Sequence, residues 1–316
     1  MGKNTTFPKR RQGLVAAAVA VAAAVAVAAT TIPAAAAGGH GTTGATILAA
    51  SLRGANEVPV AGGPAAGDKD GAALEFIKVE GDKVSVAVTW HGTGRPTMLH
   101  IHQGAKGTNG GVKIDFSRLI GKKARRHSLT GSVKVDDPAL LDALKSDPGS
   151  FYANLHTAAF PGGAVRGQLH KVTVAAFDFR DALHNFQASV VKGRQIYECK
   201  PAATGGYAFA QRDVRALLGG GIRHSFVAPN SGTPQWVAPD GSAVTGAVLT
   251  KTPNGDGNIP ELDLKATQSG KHRGLLAGTA EILRLNTVGG VAPAGTCTPG
   301  AVVGVPYHAD YVFLQR

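Results

Sequence analysis

The sequence predicts an all-β protein: two tandem β-sandwich-like domains with little helix, placed after an N-terminal signal peptide. Three observations carry this expectation. Glycine supplies 43 of 316 residues while aromatics make up only 6%, so turn residues punctuate the chain more densely than a helical protein needs. Apolar residues recur at every second position in both halves, the period of a strand with one buried face. About 280 residues remain once the leader is set aside, more than a single hydrophobic core commonly serves.

The leader is residues 1–37. Lys3, Lys9, Arg10 and Arg11 form a positive start with no acidic residue nearby. An apolar Ala/Val run follows from Leu14 to Ala29, then Pro33 and the small residues Ala34–Ala37. That order is a secretory signal peptide with cleavage near Ala37. A retained membrane anchor fits less well, because sixteen mostly alanine residues are short and weakly apolar for a span. No membrane span is expected after signal removal. Lys9-Arg10-Arg11-Gln12-Gly13 matches a twin-arginine signal only in part, so the export route stays open. Cleavage removes four positive charges and takes the formal charge from +12 to +8 (12 − 4). A basic protein in a secreted, extracellular or cell-envelope setting is biased towards anionic partners, here a cell-wall or matrix polymer. Nucleic acid is not expected.

Residues 38–172 form the first predicted domain. Val84, Val86, Val88 and Trp90 alternate with Ser85, Ala87 and Thr89, and Val112, Ile114 and Phe116 alternate with Lys113 and Asp115. One short helix is predicted, with Asp136 or Asp137 as N-cap, Pro138 in its first turn and Leu140, Leu141 and Leu144 on one side. The chemistry-bearing residues sit on three further strands. Leu99 and Ile101 take one face and His100 and His102 the other. Phe151, Ala153 and Leu155 alternate with Tyr152, Asn154 and His156, and Val165, Gly167 and Leu169 alternate with Arg166, Gln168 and His170. With the apolar sets inward, the histidines fall on the outer, polar face. H-x-H on a strand lets two imidazoles meet one ion, and His156 from a neighbouring strand completes a three-ligand Cu or Zn set, with Asn154, Arg166 and His170 in support. The alternative is a hydrogen-bonded polar face without metal. No Asp or Glu is evident as a close partner for these imidazoles.

The same residues carry a family likeness. Leu52-Arg53-Gly54-Ala55-Asn56-Glu57-Val58-Pro59 is followed by Leu99-His100-Ile101-His102-Gln103-Gly104 and Gly107-Thr108-Asn109-Gly110. Then come Phe151-Tyr152-Ala153-Asn154-Leu155-His156-Thr157 and Pro161-Gly162-Gly163-Ala164-Val165-Arg166-Gly167-Gln168-Leu169. Over residues 45–172 this order resembles the CHRD domain, the module named from chordin. The resemblance implies an extracellular module; chordin itself is a growth-factor-binding protein. The spaced histidines and the Gly-rich Arg segment also resemble Cu/Zn superoxide dismutase, a β-sandwich, but that enzyme's fuller histidine set and acidic zinc ligand are not found here.

Lys122, Lys123, Arg125 and Arg126 place four cations in five residues. They are either a solvated loop or an anion-binding patch. Residues 173–187 are the predicted linker. The second domain, 188–316, is strand-rich, with Leu262, Leu264 and Ala266 alternating with Asp263 and Lys265, and Ala309, Tyr311 and Phe313 alternating with Asp310, Val312 and Leu314. A helical turn or two is expected over Arg212–Leu218, stopped by Gly219-Gly220-Gly221. The only two cysteines, Cys199 and Cys297, read as one disulfide in an oxidising compartment.

Gly193-Arg194-Gln195-Ile196-Tyr197-Glu198-Cys199, Trp236, Asp240-Gly241-Ser242-Ala243-Val244, Ile259-Pro260-Glu261-Leu262, Leu285-Asn286-Thr287-Val288-Gly289-Gly290 and Val305-Pro306-Tyr307-His308-Ala309-Asp310-Tyr311 together resemble the secreted-protein family known as domain of unknown function 3455. Asp240, Ser242, His224, His308 and Asp310 are the residue types of a hydrolytic triad, but no G-x-S-x-G elbow surrounds a serine, and Asp240-Gly241-Ser242 reads as a tight turn. No catalytic residue is assigned. The leading functional reading is a secreted binding or envelope-associated protein. The alternative is a Cu- or Zn-binding protein, redox-active in one version, with its site on the histidine face.

Overall fold

The computed structural model describes residues 44–173, 177–203 and 205–316, which belong to one compact unit. The predicted signal peptide lies outside the described residues. The all-β class with little helix holds, and each of the two β bodies encloses its core by curling one sheet.

The first body is a single antiparallel sheet of β1 (Thr46–Arg53), β2 (Ala72–Glu80), β3 (Lys83–His91), β4 (Pro96–Gln103), β5 (Val112–Asp115), β6 (Ser128–Lys134), β7 (Phe151–Thr157), β8 (Val165–Gln168) and β9 (His170–Lys171). The strand order is β5-β4-β7-β8-β1-β2-β3-β6, with β9 also paired to β1. Strands far apart in this order send side chains to the same core: Leu48 and Leu52 of β1, Val86 and Trp90 of β3, Leu99 and Ile101 of β4, Leu129 of β6 and Leu155 of β7. The sheet must therefore wrap around that core. Helix α1 (Ser117–Lys123) adds Leu119 and Ile120 to it, packing against both β4 and β6. Helix α2 (Pro138–Ser146) adds Leu141 and Leu144. Its N-cap is Asp137, whose carboxylate accepts from Leu140 N at 3.0 Å.

The second body is a closed barrel of β10 (Phe186–Pro201), β11 (Tyr207–Leu218), β12 (Arg223–Phe226), β13 (Pro234–Val237), β14 (Ala243–Thr252), β15 (Glu261–Gln268), β16 (Thr279–Gly289) and β17 (Val302–Gln315). Each strand pairs with the next in sequence, and β17 returns to β10 through Phe186 opposite Phe313 and Glu198 opposite Val302. The expected helix over Arg212–Leu218 is instead part of β11. Val214, Ala216 and Leu218 recur with period two and face the barrel core, while Gly220 and Gly221, at φ 70° and 75°, turn the chain into β12. Those glycines end a strand, not a helix. Cys199 and Cys297 form a disulfide with Cα atoms 5.8 Å apart.

A third apolar cluster joins the two bodies. Ala49, Leu74, Phe76 and Ala87 on the outer face of the first sheet meet Leu283, Leu285, Val312 and Leu314 on the outer face of the barrel. Phe177, Phe179, Ala182 and Leu183, within the predicted linker, pack into the same cluster. At its edge Arg53 pairs with Asp310 at 2.7 Å, and Ser51, Ser189 and Asn286 also donate to that carboxylate. Burial works to raise the Asp310 pKa, but Arg53 and these hydrogen bonds hold it below the ordinary aspartate value.

Candidate metal centre

Strand parity puts His100, His102 and His156 on the face opposite the core, and the strand register then brings them together. His100 lies opposite Asn154 and His102 opposite Tyr152, with His156 one step along β7 opposite Met98. One ring nitrogen from each imidazole lies within 4.8 Å of one from each of the others. The ring centroids of His100 stand 5.5 Å from His102 and 5.2 Å from His156.

This face is not the open polar surface that alternation alone suggests. His100 and His156 are each only 9% exposed, and β7 is buried along its whole length. His156 is met by Pro161 O, His100 by Ser117 and Asp115, and His102 by Gly110 of the loop 104–111, which is tied down from several sides. Arg166 stacks on Tyr152, 3.4 Å from the ring centroid, and donates to the Ala105 and Thr108 carbonyls and to Asn109 Oδ1. Gln168 Nε2 donates to Gly104 O. A Cβ at Gly110 would stand 1.6 Å from Gln103 O, so only glycine lets the loop turn back this tightly.

Each imidazole has one nitrogen anchored and one without a partner among the described residues. His102 Nδ1 meets Gly110 O at 2.9 Å, and His156 Nδ1 meets Pro161 O at 2.9 Å. A carbonyl only accepts, so both rings donate from Nδ1 and, when neutral, carry their lone pair on Nε2. His100 Nε2 lies 3.2 Å from Ser117 Oγ and 3.4 Å from Asp115 Oδ1, which favours a proton on Nε2 and a lone pair on Nδ1. The three remaining atoms, His100 Nδ1, His102 Nε2 and His156 Nε2, are buried and have no hydrogen-bond partner among the described residues. Burial lowers the pKa of all three rings; for His100, burial and then the neighbouring His156 push it down to about 4. The neutral, ligating form is therefore the one held near pH 7. Three buried lone pairs converging without donors form a set that only a cation, or ordered water, satisfies.

Residues 48–169 match the family model of the CHRD domain, and residues 211–315 match that of a protein of unknown function, DUF3455. The chain carries a CHRD domain followed by a DUF3455 domain. No curated protein and no solved structure matches it.

The rest of the predicted CHRD site divides. Asn154 stands directly opposite His100 and donates to Glu57 Oε2 at 3.2 Å, and its own Oδ1 has no partner among the described residues. Arg166 holds the loop that meets His102, as described above. His170 does not join the cluster: it pairs through β9 with β1 and reaches Glu261 of the DUF3455 domain at 3.5 Å. The acidic partner that the sequence did not reveal is Asp115. Its only signal was the alternation of Val112–Asp115, since pairing β5 with β4 sets Asp115 opposite His100. Glu57 was missed as well. Burial raises its pKa to about 7 against the pull of Arg166, and a Cβ on nearby Gly163 would meet its carboxyl oxygen at 2.6 Å.

The remaining candidates lie elsewhere. Lys122 and Lys123 end α1, and Arg125 and Arg126 follow it. All four are exposed, and none is in an ion pair among the described residues. In the DUF3455 domain Ser242 is buried and donates to Asp240 Oδ1 at 2.6 Å within a turn, His224 stacks on Trp236 inside the barrel, and Asp310 is taken up by the joint. No helix among the described residues is long and apolar enough to cross a membrane.

Proposed function

We propose that this is an exported binding protein whose CHRD domain holds one Cu or Zn ion through His100, His102 and His156. The observation that carries the reading is the set of three buried ring nitrogens, unpartnered among the described residues, each on an imidazole whose other nitrogen is already fixed. Fixing the second nitrogen orients a ligand and sets its tautomer, and Asp115 beside His100 is the carboxylate partner that metal-bound imidazoles commonly have. Nitrogens bound to one tetrahedral ion stand about 3.3 Å apart, which follows from a metal–nitrogen distance of about 2.0–2.1 Å. The 4.8 Å spread would have to close by up to about 1.5 Å for all three to bind one ion. Three protein ligands leave a further position for water or an external ligand, and neutral imidazoles suit copper and zinc over magnesium or calcium. The disulfide and the basic leader support work outside the cytoplasm. The exposed basic run supports association with an anionic wall or matrix polymer.

Elemental analysis of the purified mature protein tests the metal reading. The expected result is one equivalent of copper or zinc after dialysis. The ion should raise the unfolding free energy by about 2.7 kcal/mol at a hundredfold excess over its Kd. His102 stacks on Tyr152 at 4.8 Å and bonds Gly110 O, so His102→Ala would also cost packing. His156→Gln with His102→Gln is the cleaner pair. A folded double variant that retains full stoichiometry, or a wild type with no metal and no metal-dependent stabilisation, refutes the proposal.

A further inference from the structure

We infer that the interior of the DUF3455 barrel is a binding site for a small aromatic carboxylate. An eight-stranded barrel has an interior that side chains either fill or leave open for one small ligand. Here they leave a cavity of about 360 Å³, at the lower end of the range for small-molecule sites and too small for a long acyl chain.

Its lining specifies the occupant in three respects. The first is shape. Trp236 stacks on His224, with centroids 4.4 Å apart and planes 3° from parallel, and Tyr311 meets both edge-on at 5.5 and 5.2 Å. Gly246 makes room for the indole, since a Cβ there would already lie 3.0 Å from its ring. All three rings line the cavity, which suits a flat, apolar body.

The second is hydrogen bonding. Trp236 Nε1 and Gln195 Nε2 are buried on residues each 1% exposed, and neither has a partner among the described residues. The Gln195 carbonyl is already used, accepting from Gln211 Nε2 at 2.7 Å. Both unmet groups are donors, so the missing partner is an acceptor. An unmet buried donor is rare enough in folded proteins to point to something absent from the protein itself.

The third is charge. Arg284 and Lys251 line the cavity, and no carboxylate among the described residues does. Arg284 is held in place by two bonds to Pro260 O, at 3.2 and 2.8 Å. Lys251 is exposed, as is Val248, and these mark the mouth. His224 adds no charge, because burial keeps it neutral and its Nδ1 is bonded to Gln235 O. Two cations and two unmet donors on residues that line an aromatic cavity select an anion that carries its charge at the edge of a flat ring. A cationic ligand fits this lining poorly.

The test uses three probes of one shape and different charge on the full mature protein: 2-naphthoate, 2-naphthamide and 2-naphthylmethylammonium, by calorimetry and by quenching of Trp fluorescence. Naphthoate should bind one to one and quench. The amide should bind roughly tenfold or more weakly, as loss of one charge-assisted hydrogen bond predicts, and the ammonium should not bind. Lys251→Gln, at the exposed mouth, should weaken naphthoate severalfold without altering the amide. Arg284→Met should weaken it by about tenfold or more. Should Arg284→Met fail to fold, the wild-type probe series and the Lys251 variant decide. Equal affinity for the three probes, no saturable naphthoate binding at millimolar concentration, or naphthoate affinity unchanged in both folded variants overturns the inference.

Discussion

Glu75 offers a sharp test of how the first sheet is packed. It lies on β2 between Ala50 of β1 and Val88 of β3, on the same face as Ala73, Ile77 and Val79, and so points into the apolar core. It is fully buried, and neither carboxyl oxygen has a hydrogen-bond partner among the described residues. Burial raises its pKa from 4.5 to about 8, so the folded protein keeps a proton that the unfolded chain loses above pH 4.5. Folding is then coupled to proton uptake across this window, and stability falls as pH rises. At ~1.4 kcal/mol per pH unit, the interval from 4.5 to about 8 amounts to roughly 4–5 kcal/mol. Below pH 4.5 both states are protonated and the contribution is fully present; above about 8 both are ionised and the loss levels off.

Glu75→Gln keeps the shape and removes the titration. Urea unfolding of both proteins in chelator, from pH 4.5 to 8.5, gives the difference directly. Glu57, whose pKa is also raised by burial, to about 7, is common to both and cancels. The expected result is near equality at pH 4.5 and a variant more stable by about 3–5 kcal/mol at pH 8. A difference that changes by less than about 0.5 kcal/mol over that range would refute the reasoning. It would mean that the carboxylate finds a partner or water in solution.

Two further predictions concern the surface and the disulfide. Changing Lys122, Lys123, Arg125 and Arg126 to Glu should sharply reduce retention on a polyanion resin and remove most of its salt dependence; unchanged retention would make the run a solvated segment and no more. Reducing Cys199–Cys297, which closes a loop of 98 residues, should destabilise the barrel by about 4–5 kcal/mol in the chain-entropy model. Because the third apolar cluster is shared, calorimetry should show the loss spreading to the CHRD domain in one transition. Two separate transitions, with the first unmoved, would show that the two bodies unfold independently.

What the sequence revealed was parity, and what it concealed was pairing. Leu99 and Ile101 were enough to put His100 and His102 on the face away from the core, because alternation is local. Asp115 was not legible, because its meeting with His100 depends on the register of β5 against β4 and on the irregularity between Ile101 and His102. The loop against His102 was hidden for a similar reason: residues 104–111 are polar and glycine-rich, which reads as solvent-facing until Arg166 is seen holding them. Barrel closure was also invisible, since Phe186 and Phe313 are joined by no local signal. The alternation over 309–314 did mark strand β17, but its apolar character on both faces records two cores at once. Tyr311 and Phe313 face the barrel interior, and Val312 and Leu314 face the other domain.

That double use has a consequence for the site. The outer face of the CHRD sheet is shared between two tasks, with the division running between β1 and β8, where Arg53 stands opposite Arg166. Arg53 reaches the barrel's Asp310, while Arg166 holds the loop that meets His102. Asn56 spans the division, donating to Arg166 O and to Asn286 Oδ1 at 3.0 Å each, and Asn286 donates in turn to Asp310 at 2.8 Å. The barrel thus stabilises the strand that carries Arg166 without touching the imidazoles. Excising the CHRD segment would expose Leu74 and Phe76 and remove Asn286 from Asn56. The loop that meets His102 would then rest on a less constrained strand, and an isolated CHRD domain that binds metal poorly would report the loss of the joint and not of the ligands. The full mature chain is accordingly the right object for testing the histidine site.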